Sequence, residues 1–223
     1  MRVYSLILEV TRRCNMCCAH CLRGDAEDID MEKETVDEIL NMADEIQSVT
    51  FTGGEPSLNL PLIQYFFDKA DEKGKFPEFF WLATNGKANQ EELAILALKA
   101  WAKSVEKDMC GVALSVDAYH EPVLNKFLSG LAFYDAGKEH PASGFDADKF
   151  VIRSGRAEEN GLGKPPRNLD NDICIEGDEI DTLYVSAKGD CVFNCDLPYC
   201  TIDEEGIPLK DIFAKVERMV TKP

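Results

Sequence analysis

A chain of 223 residues with 45% hydrophobic side chains is long enough to bury one large core or two small ones, which excludes general disorder. Its 24 basic and 41 acidic residues give a formal net charge of −17, a field that opposes phosphate backbones and anionic lipid, so neither nucleic acid nor a membrane is expected as a partner. No apolar run is long enough to span a bilayer, and the first residues enter a strand-like segment without a charged-then-apolar leader, which predicts a cytoplasmic location.

Short apolar runs rich in branched residues predict strands over residues 3–10, 48–52, 79–84, 111–117, 149–153 and 182–186. Helical spacing lies between them. Val36, Ile39, Leu40, Ala43 and Ile46 mark one helical face; Leu62, Ile63, Phe66, Phe67 and Ala70 mark a second behind Asn59 as N-cap. A third helix is expected from Asn89, with Glu92 at capping-box spacing, and presents Leu93, Leu96, Ala97, Ala100 and Trp101. Val123, Leu124, Phe127, Leu128 and Leu131 predict a fourth, and Leu209, Ile212, Phe213, Val216 and Val220 a last one. Six strands alternating with helices predict an α/β fold with a parallel sheet, whose chemistry sits at the carboxyl ends of the strands. The regularity fails over residues 154–181, which are rich in Gly and Pro and are expected to form a functional loop. Residues 157–205 hold 13 acidic side chains against three basic ones, either a solvated face or a docking surface for a basic partner.

Nine cysteines in a reducing compartment point to metal or redox chemistry rather than disulfides. Cys14, Cys17, Cys18 and Cys21 crowd the front of the chain and Cys174, Cys191, Cys195 and Cys200 the back, while Cys110 stands alone as a small core residue. The front group directly follows the first strand. Read as two adjacent CxxC pairs, it lacks the intervening residues that paired zinc knuckles need; a thioredoxin-like dithiol usually has only two thiols. The third reading takes Cys14, Cys18 and Cys21 as three thiolates around one [4Fe–4S] cluster, leaving one iron open for a chelating ligand and Cys17 surplus.

Cys14-x3-Cys18-x2-Cys21 after Glu9-Val10-Thr11 resembles the cluster loop of the radical S-adenosylmethionine (radical SAM) enzymes, and Thr11-x2-Cys14-Asn15 with His20-Cys21 is most similar to the peptide- and protein-modifying (SPASM/twitch-like) branch. The resemblance continues through Thr52-Gly53-Gly54-Glu55-Pro56, Ala83-Thr84-Asn85-Gly86, Leu114-Ser115-Val116-Asp117 and Ser154-Gly155-Arg156-Ala157, each after a predicted strand or within one. It implies a partial (β/α)6 TIM-like barrel, laterally open, with a short Cys-rich C-terminal extension. The core would occupy residues 1–157, and residues 158–223 the remainder with the acidic loop and the C-terminal cysteines.

The resemblance also implies roles. Gly53, Gly54 and Glu55 correspond to the segment that binds the cofactor's methionine amino group; bare glycines let a backbone approach closely. Ser115 and Asp117, alternating on one strand face, correspond to contacts with its ribose and carboxylate, although Asp117 could instead cap the following turn. Asn85 is either a cofactor contact or part of a plain Asn-Gly turn. His20 takes the place of an aromatic residue beside the adenine, or is a surface imidazole. Arg156 could pair with the cofactor carboxylate, with Arg153 as its competitor.

The function so implied is reductive cleavage of S-adenosylmethionine at a [4Fe–4S] cluster fed by a cellular one-electron reductant. The resulting 5′-deoxyadenosyl radical takes hydrogen from a peptide, a protein or a small-molecule substrate. No residue is assigned as a catalytic acid, base or second hydrogen donor, Cys17 and Tyr184 being the two considered. Gly189-Asp190-Cys191 through Cys195 resembles the auxiliary-cluster extension of the peptide-modifying branch but is shorter, so Cys174, Cys191, Cys195 and Cys200 are read as ligands of a second iron–sulfur cluster, as free thiols or as a zinc site. Two other functions compete: an activase that installs a radical on a partner enzyme, and a non-catalytic metal-binding or electron-transfer module. The module leaves Gly53-Gly54-Glu55-Pro56 without a purpose.

Overall fold

A computed structural model of the protein describes residues 1–135, 151–165, 173–192 and 196–220. The first three βα units follow the hydrophobic pattern: β1 (Arg2–Thr11), α1 (Lys33–Met42), β2 (Glu45–Gly53), α2 (Leu60–Glu72), β3 (Phe79–Thr84), α3 (Gln90–Lys103) and β4 (Gly111–Leu114). All four strands pair in parallel as β4-β3-β2-β1. Leu6, Leu8, Val49, Phe51, Phe80 and Leu82 share one face of the sheet and are buried there, as expected for a face covered by crossover helices, while Ile7, Thr50 and Ala83 on the other face are only half-buried. α1 packs on α2 and α2 on α3. Phe51, Phe66, Phe67 and Phe80 meet between helix and sheet at ring-centroid distances of 5.2–5.8 Å, mostly edge to face.

Beyond β4 the pattern misleads. Residues 123–131 form no α-helix; one 3-10 turn covers Leu128–Gly130, and Leu124 is left 73% exposed. Leu128 and Leu131 alone reach the core, so two buried positions mimic a helical stripe. The strand expected over residues 149–153 begins outside the described residues, and its described part makes a single bridge from Ile152 to Lys164. The fifth strand of the sheet is instead β5 (Tyr134–Asp135), parallel to β4.

The last parallel strand, β7 (Glu179–Val185), pairs with β1 rather than with the fifth strand. Antiparallel β6 (Ile175–Glu176), β8 (Asp190–Val192) and β9 (Ile207–Pro208) complete an open order, β5-β4-β3-β2-β1-β7-β8-β9 with β6 on β7. Among the described residues six strands are therefore mutually parallel, with β5 and not the segment over residues 149–153 as one of them, and the sheet does not close or follow the strand order of a (β/α)6 barrel. Because β7 takes the free edge of β1, the first strand lies inside the sheet. One sheet thus joins strands from residues 1–157 and 158–223. α4 (Arg156–Glu159), α5 (Tyr199–Glu205) and α6 (Leu209–Val220) finish the chain, with α6 packed on α1. No helix among the described residues is long and apolar enough to cross a membrane.

Three helix-boundary expectations also change. Ile46 belongs to β2. Asn59 does not cap α2 through its side chain; its Nδ2 donates to the Val10 carbonyl at 2.8 Å, tying the helix start to the end of β1. Asn89 sits at φ 47° and spends its amide on the Ser57 carbonyl, so the capping box with Glu92 does not form.

At the end of β1 the chain buries a charge. Arg12 is 0% exposed; its guanidinium donates to Glu9 at 2.7 Å, Asp203 at 2.7 Å and Glu27 at 3.0 Å, and lies 4.3 Å from the centre of the Tyr199 ring. Glu9, equally buried, also accepts from the Tyr184 hydroxyl and the Ala187 backbone N–H. The ion cluster clamps α5 onto the start of the cysteine loop. Removing one partner strands a buried charge, so Arg12→Met lowers stability by about 3–5 kcal/mol, whereas Glu9→Leu combined with Arg12→Met recovers part of that loss. Urea unfolding of the two variants checks both outcomes; a loss below about 1 kcal/mol for the single variant contradicts the clamp.

Candidate functional site

The carboxyl ends of β1 to β4 surround a cavity of about 430 Å³. Cys14, Cys18 and Cys21 all line it, each partly buried, together with Gly53, Gly54 and Glu55 from the end of β2. Cys17 is exposed and absent from that lining; its Sγ contacts Arg156 Nη1 instead. The three thiols at x3 and x2 spacing thus share the cavity lining, and the surplus one stays outside it. Burial raises the Cys14 thiol above its ordinary value and pushes Cys18 up to about 11.

Gly53 and Gly54 are required by the chain's own backbone. At Gly53, with φ 145°, a Cβ would stand 2.1 Å from the Thr11 carbonyl oxygen, and at Gly54 2.3 Å from that of Arg13. The close approach allows the Gly54 N–H to donate to Thr11 O and the Glu55 N–H to Arg13 O, both at 2.8 Å. The β1–β2 ladder therefore continues past the strands and holds the cysteine loop over the sheet. Glu55 turns its carboxylate inward, where Oε1 accepts from the Thr84 hydroxyl at 2.6 Å and the Ser57 N–H at 3.0 Å, and Oε2 from the Asn85 N–H at 2.6 Å. This locks the end of β3. Asn85 then donates through Nδ2 to Asn15 Oδ1 at 2.8 Å, beside Cys14, while its Oδ1 accepts from the Lys87 N–H.

Because β4 ends at Leu114, Ser115 and Asp117 lie in the following turn and not on one strand face. Ser115 lines the cavity; Asp117 does not, and its Oδ1 caps the turn by accepting from the N–H groups of Tyr119 and His120 at 2.8 and 3.0 Å. Burial works to raise the Asp117 carboxyl, but His120 and these N–H donors outweigh it and hold it at about 2. His20 lines the cavity and stacks on Tyr119 at 4.8 Å, with burial lowering its basicity. Arg156 lines the cavity and is 9% exposed, its N–H donating to the Cys21 carbonyl. Arg153 turns away to the Gly163 carbonyl at 2.8 Å.

His120 was not singled out by sequence, yet it faces the cavity beside His20. The available signal was composition: the chain has three histidines and two of them converge here. Tyr184 is 0% exposed with its hydroxyl spent on Glu9, and it does not reach the cavity. At the back of the chain, Cys191 is fully buried in the apolar core, whereas Cys174 and Cys200 are exposed; Cys195 lies outside the described residues. Cys110 is buried in the core, as expected.

Exchanging one Glu55 oxygen for an amide NH2 sets a donor against the donors around it. Glu55→Gln is therefore expected to cost about 1–3 kcal/mol, measured by chemical unfolding, with amide hydrogen exchange accelerated at Asn85. Unchanged stability and unchanged exchange would contradict the locking role.

Parts of the chain are similar to known proteins. A protein of Methanocaldococcus jannaschii named "Uncharacterized protein MJ0907" is 39% identical over 71 residues, 30% of this chain and 24% of that protein, so the chain spans about a quarter of the length of this curated relative. Among solved structures, anSMEcpe with bound AdoMet aligns at a TM-score of 0.40 and 24% identity over 53% of this chain and 34% of its own. Streptococcus suis SuiB bound to precursor peptide SuiA aligns at 0.38 and 12% identity over 86% and 59%. The model of the Radical SAM superfamily matches residues 8–130, more than half of the sequence and every strand end that lines the cavity through Ser115, and the chain belongs to that superfamily.

Proposed function

We propose that the protein is a radical SAM enzyme in which Cys14, Cys18 and Cys21 hold a [4Fe–4S] cluster and the surrounding strand ends hold S-adenosylmethionine. The observation that carries this reading is the sorting of the four front thiols: the three at family spacing line one cavity, whereas Cys17 is exposed and outside that lining, beside the guanidinium of Arg156. Three inward sulfur donors fit a cluster with one iron left for a chelating ligand. The chemistry such a pair supplies when bound is one-electron cleavage of the sulfonium followed by hydrogen-atom abstraction.

The chain's own residues supply placement. The Gly53–Thr11 and Gly54–Arg13 contacts hold the thiol loop against the end of β2. Glu55 accepts from Ser57 and Thr84 at Oε1 and from Asn85 at Oε2, so it braces the wall, and Oε2 keeps a lone pair for the amino-group contact beside the other acceptors of the Thr52–Glu55 segment. Arg156, buried beside the thiol loop, offers positive charge to thiolates or to a cofactor carboxylate. Ile7, Met16 and Ala83 add apolar wall that keeps water from the reacting centre. Ser115, His20 and Asn85 complete the proposed cofactor contacts, with Asp117 orienting the turn behind them.

The substrate class is a peptide, a protein side chain or a small metabolite, and the style of the Thr11–Cys21 segment favours a peptide. Electrons come from a cellular one-electron donor. A second cluster on Cys174, Cys195 and Cys200 would have to form without Cys191 or move it out of the core, which makes free thiols the better reading there.

Anaerobically reconstituted protein given dithionite and S-adenosylmethionine is expected to form 5′-deoxyadenosine. Cys14→Ala, Cys18→Ala and Cys21→Ala each abolish it, and Cys17→Ala retains it. Retention of product by Cys18→Ala, or its loss in Cys17→Ala with the cluster absent, would overturn the ligand assignment.

A further inference from the structure

His20, Asp117 and His120 come together from two loops, one after β1 and one after β4, and their donor atoms all lie within 4.8 Å of one another. His20 Nε2 stands 3.7 Å from Asp117 Oδ2, and His120 Nδ1 stands 2.8 Å from Asp117 Oδ1. The second pair is close but not aligned as a hydrogen bond: His120 Nδ1 is buried without a partner of good geometry, and so is His20 Nδ1. His20 thus presents Nε2, and His120 its unpartnered Nδ1, to one carboxylate, and a buried imidazole nitrogen without an aligned partner is costly unless something binds it.

We propose that these three side chains form a mononuclear site for a divalent first-row transition metal on the rim of the cavity, using none of the thiols of the loop that carries His20. Two imidazoles and one carboxylate are the donor set of zinc and of iron(II) centres that keep open coordination positions. With metal–ligand bonds of roughly 2.0–2.2 Å, ligand atoms stand about 3–3.5 Å apart. The observed spread needs inward movement of only about 1 Å. The carboxylate is already oriented: the backbone N–H groups of Tyr119 and His120 fix Oδ1 and leave Oδ2 toward His20. The Tyr119 ring fixes the plane of His20 by stacking at 25°. Coordination uses a nitrogen lone pair in the ring plane, so it does not compete with stacking on the ring face. Because His20 and His120 both line the cavity, the open positions of the ion would face the molecule bound there.

The site is tested in two ways. Cluster-loaded full-length protein is dialysed anaerobically against micromolar zinc and its metals are counted; the proposal requires one zinc per chain beyond the cluster's iron, weakened at least about tenfold in His120→Ala and Asp117→Asn. The variant with Cys14, Cys18 and Cys21 all replaced by alanine is titrated with cobalt(II), and one ion is expected with a d–d spectrum and no thiolate charge-transfer band. No zinc above the iron content, or zinc held equally well by both substituted chains, overturns the site, as does a cobalt spectrum that does not change when Asp117→Asn is added to the triple variant. If the triple variant does not fold, the dialysis decides alone. Cobalt bound by the triple variant with no 5′-deoxyadenosine from the wild type would leave this site standing while the proposed function fails.

Discussion

Carbonyl oxygens at the end of a parallel strand lose their ladder partners and must find donors elsewhere. Here β2 supplies them. Its backbone runs two residues beyond the regular ladder, and the N–H groups of Gly54 and Glu55 bind Thr11 and Arg13. Only residues without a Cβ tolerate that approach, since side-chain atoms at Gly53 and Gly54 would fall 2.1 and 2.3 Å from carbonyl oxygens. The position of the thiol loop follows from this contact. So does the orientation of Glu55, which reaches across to fix the end of β3 and through Asn85 returns to Asn15 in the loop. The glycines that the sequence suggests for approach to a ligand thus first serve approach to the chain itself.

A second constraint comes from outside the part of the chain matched by the superfamily model. Arg12, two residues before Cys14, is held by Asp203 and stacked on Tyr199, while Arg23, two residues after Cys21, donates to the Leu197 carbonyl and lies 5.0 Å from the centre of the Tyr184 ring. The Tyr199 N–H donates in turn to the Arg23 carbonyl. Both flanks of the thiol loop are therefore gripped by residues 197–203. Burial acts to raise the Asp203 carboxyl, but hydrogen bonds from Arg12 and Lys188 hold it below its ordinary value. A carboxylate held low in the folded state contributes stability that is present above its unfolded pKa and lost as the pH falls through the folded one. The contribution of Asp203 to this grip is consequently lost as the pH falls below the ordinary carboxylate range.

The first half of the fold was legible because local and tertiary signals agree there. In β1 to α3 each apolar stripe is also a buried stripe, and the division of the front cysteines into three that line the cavity and one outside that lining matches their spacing in a loop pinned at both ends. Legibility fails where a stripe is only partly used. Leu128 and Leu131 are buried and Leu124 and Phe127 are exposed, so the pattern over residues 123–131 suggests a helix that tertiary contacts do not support. The placement of β7 beside β1 was beyond periodicity, which marks a strand but not its neighbour. The convergence of His120 with His20 depends on a turn after β4 that ends earlier than the apolar run implies, and it was invisible for the same reason. Asn59 and Asn89 show the opposite error: residues with capping chemistry spend it on distant carbonyls instead.

The central claim is that the metal on the front cysteines keeps one position free for a small molecule. The most direct measurement is the electron paramagnetic resonance spectrum of the anaerobically reduced protein recorded without and with S-adenosylmethionine. The account predicts a change of the cluster signal on addition of the cofactor, the same in wild type and Cys17→Ala. A cluster signal indifferent to the cofactor in the wild type, becoming responsive only when Cys17 is removed, would mean that a fourth thiolate fills the position and would contradict the account.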